Sequence, residues 1–350
     1  MTRLGSIIAA QLERWGGAEL VLERQLFGTT DPDGVAAAVD AWCRDHLGAG
    51  VARYRFFYSS IGSVHGVTLT DGRAVVVKGH RPSADPVYIA AATATQRALA
   101  ATGYPAPPPI FGPVACGKGH ATAEVLVPQT TPDDAHRSPV IALLARGLAD
   151  FVACTHDHRD RLARVTHPMA VAGDALYPPP HSARFDFDAT APGAEWIDDL
   201  ASRARSRLAN LAPPDLLVAH DDWRVENLSI VDGQIVAVYD WDSVALMDEL
   251  VAVGAAALTF PIDWQRDQPR RFPVPSEIVE FIGEYETARP RPFTREERAR
   301  LTASMVASLA YGARCEHADT GRPPANADSQ RGLLAELGTR LLDRGLDALS

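Results

Sequence analysis

The segment from residue 217 to residue 242 restricts the architecture more than any other part of the chain. A short apolar run, residues 217–219, has strand character and stops at His220. A dense polar stretch follows: His220-Asp221-Asp222-Trp223-Arg224-Val225-Glu226-Asn227. Two β-prone runs then flank Asp232-Gly233, at 228–231 and 235–239, and the second ends at Tyr239-Asp240-Trp241-Asp242. Asp-Gly between two such runs is a strong two-residue hairpin signal. The flanking sequence reads as helix. Ile141, Leu144, Ala145, Leu148, Phe151 and Val152 share one helical face, and residues 196–211 repeat the pattern. A lone hairpin carrying clustered polar residues is therefore set among helices.

The N-terminal third has a different texture. Asp31-Pro32-Asp33 is a helix start, with Asp31 as cap and Pro32 in the first turn, and the helix is expected to stop near Gly48. Residues 53–59, 64–70 and 74–78 are β-prone, with Asp71-Gly72 as a second hairpin signal. A helix over 90–101 ends at Gly103, and the proline-rich run 105–109 excludes helix interior before strands from 110 and over 123–127. Helices resume after Met247 and over 276–287, 294–317 and 330–347, with 261–275 as a loop. The expected fold class is α+β and bilobal: a helical extension (1–50), a β-rich N-lobe with a narrow crossing at 124–128 (51–128), and a helical C-lobe (129–350).

Composition narrows the partners. The 350 residues are 46% hydrophobic and 22% charged, as in a folded protein large enough for two lobes. A formal charge of −10 argues against binding nucleic acid or an anionic membrane, and suits a cationic ligand. Cys43, Cys116, Cys154 and Cys315 have no CxxC spacing, which points to reduced thiols. The N-terminal sequence lacks a signal-peptide h-region, and the apolar stretch 250–261 is too short to cross a bilayer, so the chain reads as cytoplasmic. Nothing indicates an oligomeric state. P-loop, dinucleotide-fold, nucleophile-elbow and zincin motifs are all missing from the sequence. His156-Asp157-His158-Arg159-Asp160 looks like a metal motif, but it closes a helix, where histidine favours the dipole. Arg314-Cys315-Glu316-His317 reads as a helix end, with a part in an acceptor pocket as the alternative.

Phosphoryl transfer asks little of a protein: a carboxylate to receive or orient the attacking hydroxyl, and oxygen ligands to hold Mg²⁺ against the phosphates. Asp222 lies five residues before Asn227, the spacing of a kinase catalytic loop, and Asp240 stands at the following strand end. His-x-Asp-x-x-x-x-Asn, followed by Val238-Tyr239-Asp240-Trp241 and by Asp248, resembles the aminoglycoside phosphotransferase and choline kinase-like superfamily. That resemblance implies a protein-kinase-like fold, ATP or GTP as donor, Mg²⁺, and a small-molecule acceptor.

By position in the family pattern, Asp222 would be the catalytic base and Asn227 and Asp240 the metal ligands. His220 and Trp241 would be structural. Lys78, closing Ala74-Val75-Val76-Val77, would hold the nucleotide phosphates, covered by a turn with Ser60 and Ser63. Glu124 and Leu126 would lie in the hinge beside the base, and Asp221, Asp242 and Glu249 could reach the acceptor. One departure stands out. The family pairs the lysine with a glutamate on the next helix, but residues 90–101 contain none. Ala92 is near the expected place, and Thr93 and Gln96 are the polar residues nearby. That gap motivates an alternative, a nucleotide-binding pseudokinase.

Overall fold

The computed structural model describes residues 5–14, 20–182, 185–319, 326 and 328–350. The chain divides into two compact units, residues 1–128 and 129–350.

The first unit contains α1 (Gly5–Arg14), α2 (Val21–Phe27), α3 (Pro32–Leu47), β1 (Val51–Ser59), β2 (Gly62–Leu69), β3 (Ala74–His80), α4 (Pro86–Ala101), β4 (Pro109–Cys116) and β5 (Gly119–Val125). Helix α3 begins where the Asp31 carboxylate accepts the Gly34 N–H at 2.8 Å. It ends at Gly48, whose φ of 75° is open to a residue without a Cβ. The five strands form one antiparallel sheet in the order β1-β2-β3-β5-β4. Alternation sorts its side chains. Val67, Leu69, Val75, Val77, Ala121 and Ala123 are buried in one core with Ile8, Leu26, Val35, Val39 and Trp42 of the preceding helices. The first fifty residues, expected as a helical extension, thus supply half of the sheet's hydrophobic core. Burial of each large aliphatic side chain there contributes about 1.5–3 kcal/mol. Val76, Lys78, Thr122 and Glu124 alternate with these residues and are half-buried.

The second unit contains α5 (Ser138–Thr155), α6 (Arg159–Leu162), α7 (Glu195–Ala209), β6 (Leu216–His220), β7 (Leu228–Val231), β8 (Gln234–Val238), β9 (Val244–Asp248), α8 (Glu249–Thr259), α9 (Pro275–Ala288), α10 (Arg295–Ala318) and α11 (Gln330–Arg344). Helix α10 is its central element and packs on α7, α8 and α11. It starts with a reciprocal cap: Thr294 Oγ1 accepts the Glu297 N–H, and the Glu297 carboxylate accepts the Thr294 N–H. The expected hairpin is β7–β8, turning at Asp232 (φ 51°) and Gly233 (φ 72°). Strand β9 is an addition to the sequence reading. It pairs antiparallel with β6, with His220 opposite Val244, so the hairpin is an insertion between two paired strands.

Candidate active site

The β6–β9 pair fixes both ends of the polar segment. From His220 the chain leaves β6, makes a short 3-10 turn at Val225–Asn227, and enters β7. At the open end of the hairpin, the Tyr239 N–H donates to the Asn227 carbonyl at 2.8 Å. This bond brings Asn227 and Asp240 side by side. The return path is tied down by the Asp221 N–H donating to the Ser243 carbonyl at 2.8 Å.

Within this frame Asp222, Arg224, Glu226 and Asn227 form one hydrogen-bonded network. The Asn227 amide nitrogen donates to the Asp222 carbonyl at 2.7 Å and to Asp222 Oδ2 at 2.9 Å. Arg224 donates to Asp222 Oδ1 at 2.7 Å and, through Nε, to Glu226 Oε2 at 3.0 Å. Each Asp222 oxygen keeps acceptor capacity, because a carboxylate offers about four lone-pair sites. Burial disfavours the Arg224 cation, but Asp222, Glu226 and Asp240 together outweigh it and hold the guanidinium above its ordinary value. Burial raises Glu226 above the usual carboxylate range, opposed by Arg224. Burial likewise raises Asp221, opposed by His167 and reinforced by the Asp222 charge.

His220 is buried and braces the loop from below. Its Nδ1 accepts the Asp222 N–H at 3.2 Å, so Nε2 carries the proton donated to the Tyr239 carbonyl at 2.9 Å. One imidazole thereby links the backbones beside Asp222 and Asp240. The Trp223 indole donates to the Leu144 carbonyl at 2.8 Å, and that of Trp241 to the Val238 carbonyl at 2.8 Å. Both rings lie against Phe151. Asp240 has a left-handed backbone, φ 58° and ψ 48°, a conformation that non-glycine residues seldom adopt and that recurs at functional sites. Ser243 holds it there, its hydroxyl donating to Asp240 Oδ2 at 2.6 Å and its N–H to the Asp240 carbonyl at 2.9 Å.

The donor chemistry fits a hard divalent cation. The Asn227 amide nitrogen is committed to Asp222, which leaves its oxygen as the ligand atom, and Asp240 follows the residue that pairs with Asn227. Mg²⁺ commonly takes one or two protein oxygens and completes its shell with water and phosphate. Among the described residues, no group of three or more His, Cys, Asp or Glu is arranged to hold a metal, and that includes the His156 segment.

The other expected site residues separate into several environments. Lys78 lies on β3 opposite Val64 of β2 and Thr122 of β5. Ser60 is exposed at the β1–β2 turn. Ser63 departs from the expectation of a phosphate contact. It is fully buried on the helix-covered face, and its hydroxyl bonds His65 Nε2 at 2.8 Å. Tyr54 OH meets the other ring nitrogen at 3.2 Å, and burial pushes His65 down to about 3, so the imidazole is neutral. The Leu126 N–H donates to the Ala74 carbonyl at 3.0 Å. The Glu124 side chain accepts from Gln96 Nε2 at 2.6 Å. Asp242 lies in the 3-10 turn Trp241–Ser243 that follows Asp240, half-buried. Glu249 is not an open acidic contact. Arg289 grips it through Nε at 3.0 Å and a terminal nitrogen at 2.7 Å, and Tyr285 OH donates at 2.9 Å. Asp248 caps α8 and pairs with Arg300 at 3.1 Å.

Sequence reasoning gave no role to Arg224, Glu226, Gln129 or Ser243. A basic residue two positions after Asp222, between two acids, was a usable signal for the first two. Gln129, which donates to the Glu226 carbonyl, had none.

Residues 64–300 match the model of the phosphotransferase enzyme family. Among solved structures, the chain is similar to a Ralstonia eutropha protein provisionally described as an aminoglycoside phosphotransferase, with a TM-score of 0.53 and 15% identity over 89% of this chain and 97% of that one. It is also similar to amicoumacin kinase hAmiN with AMP-PNP and Ca²⁺ bound, with a TM-score of 0.52 and 12% identity over 84% and 89% of the two chains. Spectinomycin phosphotransferase in complex with ADP and spectinomycin gives a TM-score of 0.52 at 11% identity, over 89% and 97%. At these identities the likeness establishes the α+β, protein-kinase-like fold. A search of the curated proteins found no match. The family match spans more than half of the chain and includes the whole polar loop and hairpin, and the chain belongs to the phosphotransferase enzyme family.

Proposed function

We propose that this chain transfers the γ-phosphoryl group of ATP or GTP to a hydroxyl of a small molecule, with Asp222 as the base. The observation that carries the reading is the Asp222–Asn227–Arg224 network, tied through His220 to the strand end at Asp240. Asp222 orients the acceptor hydroxyl and takes its proton as the new O–P bond forms and the bond from the γ-phosphorus to the bridging oxygen breaks, releasing the nucleoside diphosphate. Asn227 and Asp240 hold Mg²⁺. Bound there, Mg²⁺ offsets the negative charge of the phosphates. Lys78 is the proposed nucleotide-phosphate contact of the first unit. The asparagine bonds to Asp222 Oδ2 while Arg224 occupies Oδ1, so the carboxylate keeps one orientation with lone pairs left for the substrate.

An amine-bearing acceptor is the class we favour. It is supported by the formal charge of −10 and by Asp221 and Asp242 on either side of the proposed base and metal ligands. Burial raises Asp221 and so disfavours its charged form. The test is a screen of hydroxylated amines, sugars and macrolides against ATP and GTP, following nucleoside diphosphate release. Turnover with one acceptor class supports the reading. Mg²⁺-nucleotide binding with no turnover across the panel would favour the pseudokinase alternative.

A further inference from the structure

The helix that follows Lys78 lacks the acid that would fix a phosphate-binding lysine. Helix α4 has the sequence PVYIAAATATQRALAA, with no Asp or Glu. The sheet offers one instead. In the β3–β5 ladder Val76 pairs with Glu124 and Lys78 with Thr122. Residues directly opposite in an antiparallel pair share a face, so Lys78 and Glu124 are diagonal neighbours on the face away from the helix-covered core. Such diagonals are about 7–8 Å apart, within the reach of two long side chains. Lys78 is also the one Lys or Arg in β2, β3, β4 and β5. A half-buried carboxylate is costly without a cation, and no other residue of these four strands supplies one.

Helix α4 contributes in a different way. Gln96 is buried, and its amide nitrogen donates to Glu124 Oε2 at 2.6 Å and to the Pro107 carbonyl at 2.7 Å. It therefore fixes Glu124 without adding charge, and leaves Oε1 for a second partner.

We infer that Glu124 is the positioning residue for Lys78, taking over from β5 the task of a helix glutamate, with Gln96 as its brace. The inference rests on the proposed phosphate role of Lys78, and a double-mutant cycle separates the two. Mg·ATP affinity is measured by calorimetry for wild type, Lys78→Met, Glu124→Gln and the double variant, with thermal melts as a control on folding. Glu124→Gln should weaken binding about tenfold in the wild-type background and less than twofold beside Lys78→Met. Gln96→Leu, which removes only the brace, should weaken binding about threefold with the same dependence on Lys78, and serves if Glu124→Gln does not fold. Equal losses in both backgrounds would show a merely structural Glu124 and overturn the inference alone, as would unchanged or tighter binding by Glu124→Gln while Lys78→Met is impaired. Wild-type affinity in Lys78→Met would overturn the phosphate role of Lys78 together with it.

Discussion

Removing the His220 imidazole should loosen the whole loop, and the size of the effect follows from its contacts. The ring holds the Asp222 N–H at 3.2 Å and the Tyr239 carbonyl at 2.9 Å, and it meets the edges of Phe151 and Trp223 with centroids 5.9 Å away. His220→Ala takes the imidazole partner from two half-buried backbone groups, towards the lower end of roughly 1–3 kcal/mol each. It also forfeits the ring contacts, worth about 0.5–1.5 kcal/mol apiece. Together the expected loss is about 4 kcal/mol. His220→Phe keeps a ring and deletes only the polar links, so its loss should be about 3 kcal/mol. Urea unfolding followed by the fluorescence of buried Trp223 and Trp241 measures both. A loss under about 1 kcal/mol in His220→Phe would refute the reasoning, because the two bonds would then not be holding the loop.

Two further predictions follow from neighbouring contacts. Asn227→Ala removes the proposed oxygen ligand and both bonds to Asp222, so kcat/KM should fall about 10- to 100-fold or more and the Mg²⁺ needed for half-maximal rate should rise; a Mg²⁺ titration with unchanged half-saturation would count against the assignment. Burial alone would raise Glu277, but Arg270, the Val274 N–H and His136 outweigh it and hold the carboxyl at about 2 against an ordinary 4.5. A depressed folded value means stability present above about pH 4.5 and lost as the pH falls towards 2. Discounted for solvent screening at this partly exposed site, wild type should exceed Glu277→Gln by about 1–2 kcal/mol in urea unfolding at pH 7, with the gap closing towards pH 2; a gap independent of pH would contradict that ion pair.

The parts of the fold legible in the sequence are those set by local chemistry. The α3 boundaries follow from Asp31, Pro32 and Gly48, and both hairpins from Asp-Gly turns. The polar loop stood out because Asp222 and Asn227 have the spacing of a kinase catalytic loop. What escaped depends on distant partners. Val244–Asp248 has no alternation of its own and becomes β9 only by pairing with β6. Ser63 read as a turn residue, yet β2 already begins at Gly62, so alternation points its hydroxyl inward to His65. The Glu249 carboxylate is held by Arg289, forty residues away. The packing of α1–α3 against the sheet could not be read from helix signals, which say where a helix stops and not what it covers.

The central claim is that Asp222 serves as base in a phosphoryl transfer. With an acceptor in hand, Asp222→Asn keeps the side-chain shape but cannot take up a proton. The account predicts a fall in kcat of about a thousandfold with nucleotide affinity within about twofold of wild type. Turnover at the wild-type rate in Asp222→Asn would contradict it.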